Sequence, residues 1–216
     1  SSGDTDVIFL SGINQNHSGI EVEASAGLMS MLRINAAVSF GTWKVVGDAT
    51  GNYQEDEFSD QGQVVGQKTT SYNYALDGLF VGDMPQTIYV VGVTLTPMAG
   101  LRAAVLFNMY DKNYSDWSPN AREYSGSDAD ADRAQVWQAP GYSKMDVHVT
   151  YDLPPMGGLN LQAFAHVFNA LDDVYVQDAV DHSQYNSYGD KVHAAHNAEV
   201  FLGTPRYFNA GLAVRF

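Results

Sequence analysis

The stretch Ser143-Lys144-Met145-Asp146-Val147-His148-Val149-Thr150-Tyr151-Asp152 sets Met145, Val147, Val149 and Tyr151 against Lys144, Asp146, His148, Thr150 and Asp152. Successive side chains of a β-strand point to opposite sides, so a period of two describes a strand with one oily and one charged face. Its length also matches a tilted strand crossing a bilayer, roughly 9 to 11 residues.

Six more segments repeat the pattern. Downstream, Leu159, Leu161, Ala163, Ala165 and Val167 oppose Asn160, Gln162, Phe164, His166 and Phe168, and Phe208, Ala210, Leu212, Val214 and Phe216 oppose Asn209, Gly211, Ala213 and Arg215. Upstream, Leu101, Ala103, Val105, Phe107 and Met109 alternate with Arg102, Ala104, Leu106, Asn108 and Tyr110, while Tyr89, Val91, Val93 and Leu95 alternate with Val90, Gly92, Thr94 and Thr96. Near the start, Leu32, Ile34, Ala36, Val38 and Phe40 oppose Arg33, Asn35, Ala37, Ser39 and Gly41, and Ile20, Val22, Ala24 and Ala26 oppose Glu21, Glu23 and Ser25.

Tight turns at Gly27–Ser30, Pro97–Gly100 and Pro154–Gly158 alternate with long connections at about Val45–Gln86, Asp111–Gly141 and Asn169–Arg206. A compact soluble domain rarely carries three such loops without secondary structure of their own. Outer-membrane barrels do, with short turns on one side of the membrane and long loops on the other. The expected fold is therefore all-β, a transmembrane antiparallel up-and-down β-barrel. Phe40, Trp43, Tyr110, Tyr142, Phe168, Tyr207 and Phe208 at the loop ends, with Tyr151 and Phe216 at the turn ends, are expected to form its interfacial girdles.

Bacterial single-chain barrels have an even strand count, and an open edge in hydrocarbon leaves unpaired amides costing several kcal/mol each. Seven strands cannot close such a wall. Residues 1–216 are accordingly expected to be the C-terminal portion of a larger barrel, beginning inside an outer loop. A soluble antiparallel sandwich alternates in the same way and stays open as a rival.

Composition excludes several classes. The 216 residues are 45% hydrophobic and only 17% charged, and 25 acidic against 11 basic side chains give a net charge of -14, which argues against nucleic acid as a partner. No apolar run reaches the roughly 18 residues of a membrane helix, which a strand-spanning protein does not need. The absence of cysteine excludes disulfides and zinc-thiolate sites. No nucleophile with a base, phosphate cradle, dinucleotide fingerprint or His-Glu zinc motif is present, so nothing points to an enzyme or a resident cofactor.

Four segments carry a family resemblance. Val167-Phe168-Asn169-Ala170-Leu171-Asp172-Asp173-Val174-Tyr175 resembles the N-L-F-D-x-x-Y box before the last outer loop of TonB-dependent receptors, with Ala170 and Leu171 where that family more often has Leu and Phe. Gly203-Thr204-Pro205-Arg206, continued to Leu212 and Phe216, is similar to the family's G-x-P-R-x-x-x-x-x-L-x-x-x-F close. Ala139–Asp146 looks like the start of its third strand from the end, and Ser18–Ala24 resembles its x-G-x-E-x-E strand. The resemblance implies an outer-membrane barrel of about 22 strands with a plugged lumen. It implies as partners the plug and earlier strands of the same receptor, a periplasmic TonB-type coupling protein, outer-membrane lipid and a surface lipoprotein. The implied function is active import of a scarce bulky solute such as a metal chelate, cofactor, oligosaccharide or peptide. Rival readings are a passive porin, a structural barrel subunit of a secretion or surface-assembly complex, and a soluble β-sandwich adhesin.

The ending Phe208, Leu212, Val214 and Phe216 resembles the signal read by the barrel-assembly machinery. Glu21, Glu23, Arg33, Arg102, Lys144, Asp146, His148 and His166 are expected to line the lumen, the two histidines within a polar wall network. Candidate substrate contacts are the loop aromatics Tyr114, Trp117, Tyr124, Trp137, Tyr185 and Tyr188, which suit stacking on sugars or a chelate. Asp128, Asp130 and Asp132 are spaced like half a calcium loop, but Arg133 stands where its Gly belongs and Ala139 where its Glu belongs, so a solvated acidic loop is expected. His193 and His196, with His182 and Asp181 nearby, are likewise expected to be exposed polar residues and not metal ligands.

Overall fold

A computed structural model describes residues 10, 12–125, 127–155, 157–183 and 192–215. The strands are β1 (Asn14–Met29), β2 (Leu32–Val46), β3 (Ala49–Phe58), β4 (Val64–Tyr74), β5 (Thr87–Met98), β6 (Leu101–Asp111), β7 (Asn113–Tyr114) and β8 (Asp116–Trp117). After one helical turn, α1 (Pro119–Arg122), come β9 (Glu123–Tyr124), β10 (Gln138–Ala139), β11 (Tyr142–Asp152), β12 (Asn160–Phe168), β13 (Val176–Asp181), β14 (Glu199–Leu202) and β15 (Tyr207–Arg215). The fold is all-β, and all but one of its strand pairings are antiparallel.

Seven strands form one sheet in the order β1-β2-β5-β6-β11-β12-β15. They are the seven segments marked by alternation in the sequence. Residues paired across a sheet point to the same side, so register decides whether seven amphipathic strands make amphipathic faces. One row runs Ala26↔Ile34↔Val93↔Val105↔Val147↔Val167↔Phe208. The adjacent row runs Gly27↔Arg33↔Thr94↔Ala104↔His148↔His166↔Asn209. One face is thus continuously apolar from edge to edge and the other carries the polar groups.

The sheet is open. β1 and β15 are its edges, and neither has a further partner strand among the described residues. Its short connections lie together at one end. Gly100 at the tip of one has φ +79, and a Cβ there would meet the Asp152 carbonyl oxygen at 2.4 Å, so glycine is required on two counts.

The long connections depart from the structureless loops expected of them. β3 and β4 form a hairpin paired from Ala49↔Tyr74 to Phe58↔Val64, and β9 extends it along β4. β13 pairs with β14 and, in parallel, with β8; β7 pairs with β10. The buried hydrophobic core also lies at this end, where Val45, Ala49, Tyr74, Leu76, Leu79, Tyr114 and Val136 cluster. The large sheet has no comparable interior of its own. Ile20, Val22, Phe40, Val91, Phe208, Leu212 and Val214 on its apolar face are all exposed.

Candidate functional site

The polar face is built by the even positions of β11 and β12 and by their register partners. Pairing assigns Glu21, Glu23, Arg33, Arg102, Lys144, Asp146, His148 and His166 to this one side. Its side chains bond to one another: Ser39 Oγ donates to Glu21 Oε1 at 3.3 Å, Ser25 Oγ to Asn35 Oδ1 at 2.7 Å, and Gln162 Nε2 to Asp152 Oδ1 at 2.7 Å. Toward the turns, Arg33 and Arg102 flank Thr94 and Thr96 around a hollow of about 510 Å³.

Aromatic rings gather on the same side toward the loops. Tyr110 pairs with Tyr142, which stacks on Tyr175 at 4.3 Å, and Lys144 Nζ lies 5.7 Å from the Tyr175 ring. Phe168 stacks on Tyr207 at 4.5 Å, and Trp43 stacks on His17 at 5.5 Å. This corrects the girdle expectation. Trp43, Tyr110, Tyr142, Phe168 and Tyr207 have the parity of the polar face, whereas Phe40, Tyr151 and Phe208 remain on the apolar one. Height along a strand is visible in sequence, but facing depends on residue parity, which the girdle argument did not apply.

Two charged clasps tie the long loops to one another. Asp48 Oδ1 accepts from the backbone N–H groups of Leu76 and Asp77, each at 3.0 Å, while Arg133 grips both its oxygens at 3.0 and 2.8 Å and also contacts Asp128. The Arg133 bond holds the Asp48 carboxyl well below the usual carboxylate range, against the opposing effect of burial.

The second clasp is buried. Arg122, with no side-chain exposure, donates through Nη1 to the carbonyls of Asp132 at 3.0 Å and Ala134 at 2.7 Å, and through Nη2 to Asp181 Oδ2 at 3.4 Å. His193 bridges the same carboxylates, Nδ1 to Asp181 Oδ2 at 2.5 Å and Nε2 to Asp132 Oδ2 at 3.1 Å. Its bond to Asp181 raises the His193 pKa above the ordinary histidine value, although burial opposes this. The reading of Asp132 and His193 as solvated groups is therefore corrected. Two arms of the chain close over them and supply a buried arginine. A charged arm without periodicity gives no sign of which residues its neighbour will cover.

A third group consists of carboxylates alone. Asp178 shares a hydrogen bond with Asp83, which together with burial raises its pKa to about 6, and burial raises that of Asp116 beside them. Asp83 sits at φ 63, a left-handed conformation that Asp tolerates better than most residues.

The expected substrate aromatics do not share one surface. Tyr114 is buried and stacked on Phe80 at 4.1 Å, and Trp117 packs against the same core. Tyr124 reaches Asp48 through its hydroxyl at 3.4 Å, and Trp137 is half-buried, its carbonyl accepting from Ser115 Oγ at 2.9 Å. Tyr185, Tyr188 and Phe216 lie outside the described residues. Tyr175, Tyr142 and Tyr207, not singled out as contacts, are among the aromatics that reach the polar face. Tyr142 and Tyr207 were marked in the sequence as strand-end tyrosines of polar-face parity, whereas Tyr175 lies in the loop before β13 and carried no such signal. No family model matches the chain, and neither a curated protein nor a solved structure matches it.

Proposed function

We propose that the chain forms part of the wall and the outer loops of a β-barrel in a bacterial outer membrane, within a TonB-dependent transporter that imports a scarce bulky solute. One observation carries the membrane part of this reading: the register aligns an unbroken apolar row across seven strands on one exposed face, while dense packing is confined to the loop end. In water that face would be an apolar patch far larger than soluble monomers ordinarily expose. Against acyl chains it is the expected lining, with water on the other side. The two open edges are satisfied by further strands of the same receptor, since hydrocarbon leaves no other partner for their amides.

Transport is supported by the quoted motif resemblance and by the chemistry of the wet face. Rings at Trp43, Tyr142, Tyr175 and Tyr207 beside Glu21 and Lys144 suit a solute that is both cyclic and hydrogen-bonding. The receptor's plug and a periplasmic coupling protein complete the proposed machine, which imports a metal chelate, cofactor, oligosaccharide or peptide.

The chain has no cysteine, so single-cysteine variants report each face cleanly. In lipid vesicles, Val149→Cys is expected to resist a water-soluble maleimide and His148→Cys to react. Equal labelling at the two sites defeats the wall. Uptake that survives collapse of the inner-membrane proton gradient defeats energised transport while leaving the wall intact.

A further inference from the structure

His148 of β11 and His166 of β12 are register partners on the polar face, and their Nδ1 atoms lie 2.9 Å apart. The ring centroids are 5.0 Å apart, so the nitrogens are the edges that face each other. Phe168 packs edge-on against His148 at 5.4 Å, and Phe164 stacks on His166 at 5.4 Å, which restricts both rings. Among the described residues, the only hydrogen-bonding partner of each Nδ1 is the other.

We propose that this pair chelates a divalent transition-metal cation, copper(II) or nickel(II). A cation about 2.1 Å from each imidazole nitrogen, with the nitrogens 2.9 Å apart, sees them at 2·arcsin(1.45/2.1), or about 87°. That is the cis angle of the square-planar and tetragonal sites taken by copper(II) and nickel(II). Tetrahedral zinc needs an angle of about 109° and therefore nitrogens about 3.4 Å apart. The antiparallel ladder fixes the separation of the directly opposed Cβ atoms, and Phe164 and Phe168 restrain rotation of the rings beyond them.

Both rings are half-buried on a face open to solvent, so water or a ligand travelling with the cation fills the remaining positions. No third His, Asp or Glu of the described residues joins them, which makes this an open two-nitrogen site and not a closed cage. The site rests on the polar face being wet, as the wall reading has it, and on nothing about the imported solute. The same 2.9 Å separation suits an N–H···N bond with one ring as donor, and metal titration separates the two.

The test titrates the intact protein with copper(II), nickel(II) or zinc(II) chloride and follows copper by electron paramagnetic resonance. Expected are one copper per chain with two equatorial nitrogens, at least tenfold weaker binding in His148→Asn or His166→Asn, loss in the double variant, and nickel bound more tightly than zinc. A second measurement needs no substitution: bound copper slows acylation of both His148 and His166 by diethyl pyrocarbonate at least tenfold, with His17 and His196 as references. The proposal is overturned if the double variant binds copper like the parent, if neither ring or only one is protected, or if zinc binds more tightly than nickel. A protein that stays monomeric in water without detergent overturns the wall instead, and the titration can still be run in buffer.

Discussion

The imidazole of His193 and the carboxylate of Asp132, 61 residues apart in sequence, meet at 3.1 Å and join the second long loop to the third. Both ring nitrogens face carboxylate oxygens, so the bridge is complete only when the ring is protonated.

The pH dependence of this bridge follows from two opposite shifts. The His193 pKa is raised above 6.5, chiefly by Asp181, so its contribution is present below pH 6.5 and is lost as pH rises through the folded value. Burial acts to raise the Asp132 pKa, but bonds from the Ala134 N–H and His193 bring it below 3.8. Its contribution is therefore present above pH 3.8 and lost as pH falls through the folded value. Hydrogen exchange over residues 128–136 and 192–198 should be slowest between these limits. Protection that climbs steadily from pH 6 to pH 9 contradicts the bridge.

Arg122→Ala should open the same region more severely. It removes the buried counter-charge of Asp132 and Asp181 and strips the carbonyls of Asp132 and Ala134 of their donor. Losing one partner of a buried ion pair costs about 3 to 5 kcal/mol. Arg122→Lys should recover little, because an ammonium cannot span the same fork of acceptors. Limited proteolysis should cut the second loop in both variants while sparing the seven-stranded sheet. A lysine variant as resistant as the parent would sink the argument.

Asp178→Asn should stabilise the third loop at pH 7.5 and leave it unchanged near pH 3. The hydrogen bond with Asp83, aided by burial, raises the Asp178 pKa to about 6, so its favourable protonated state is fully present below pH 3.8 and lost as pH rises through about 6. Asn keeps a donor at all pH values. The gain is about 1 to 2 kcal/mol after solvent screening. Exchange rates at β13 that do not respond to the substitution at pH 7.5 would refute it.

Gly203→Ala should act through Tyr175. A Cβ at 203 would fall 1.9 Å from Tyr175 Cζ, and Gly203 N–H donates to the Tyr175 carbonyl at 2.9 Å, so neither group can retreat alone. The ring must leave its stack on Tyr142, at an overpacking penalty of about 1 to 3 kcal/mol. Altered tyrosine fluorescence with lower thermal stability is expected, and an unchanged midpoint argues against the contact.

The sheet was legible because period two survives in any medium with one oily side, and residues 144–152 show it without an exception. The outer half of β1 and β2 was not, since Asn14–Gly19 and Gly41–Val46 pair on past the alternating segment without an apolar row of their own. The β3–β4 hairpin is polar on both sides, as in Asn52, Gln54 and Ser71 on one and Glu55, Lys68 and Thr70 on the other, and so offers no alternation. Arg122, Asp132, Asp181 and His193 were the least legible. Their meaning lies in contacts spanning 10 to 71 residues that no local pattern encodes.

Val149→Arg puts the strongest demand on the face assignment. Val149 is paired between Ala103 and Ala165 on the exposed apolar side, three small or branched side chains in one row. If that row lies near the bilayer midplane, an arginine there costs roughly 2 to 4 kcal/mol, because its charge must be dragged to water or left in hydrocarbon. His148→Arg, one residue earlier, points to the other side beside Ala104 and His166 and should be far milder, since a charge there stays hydrated. Folding of the two variants into vesicles at equal ionic strength measures the difference directly. A soluble sheet predicts the reverse ordering: an arginine at an exposed apolar position would be harmless, and one forced against a half-buried histidine pair would be felt.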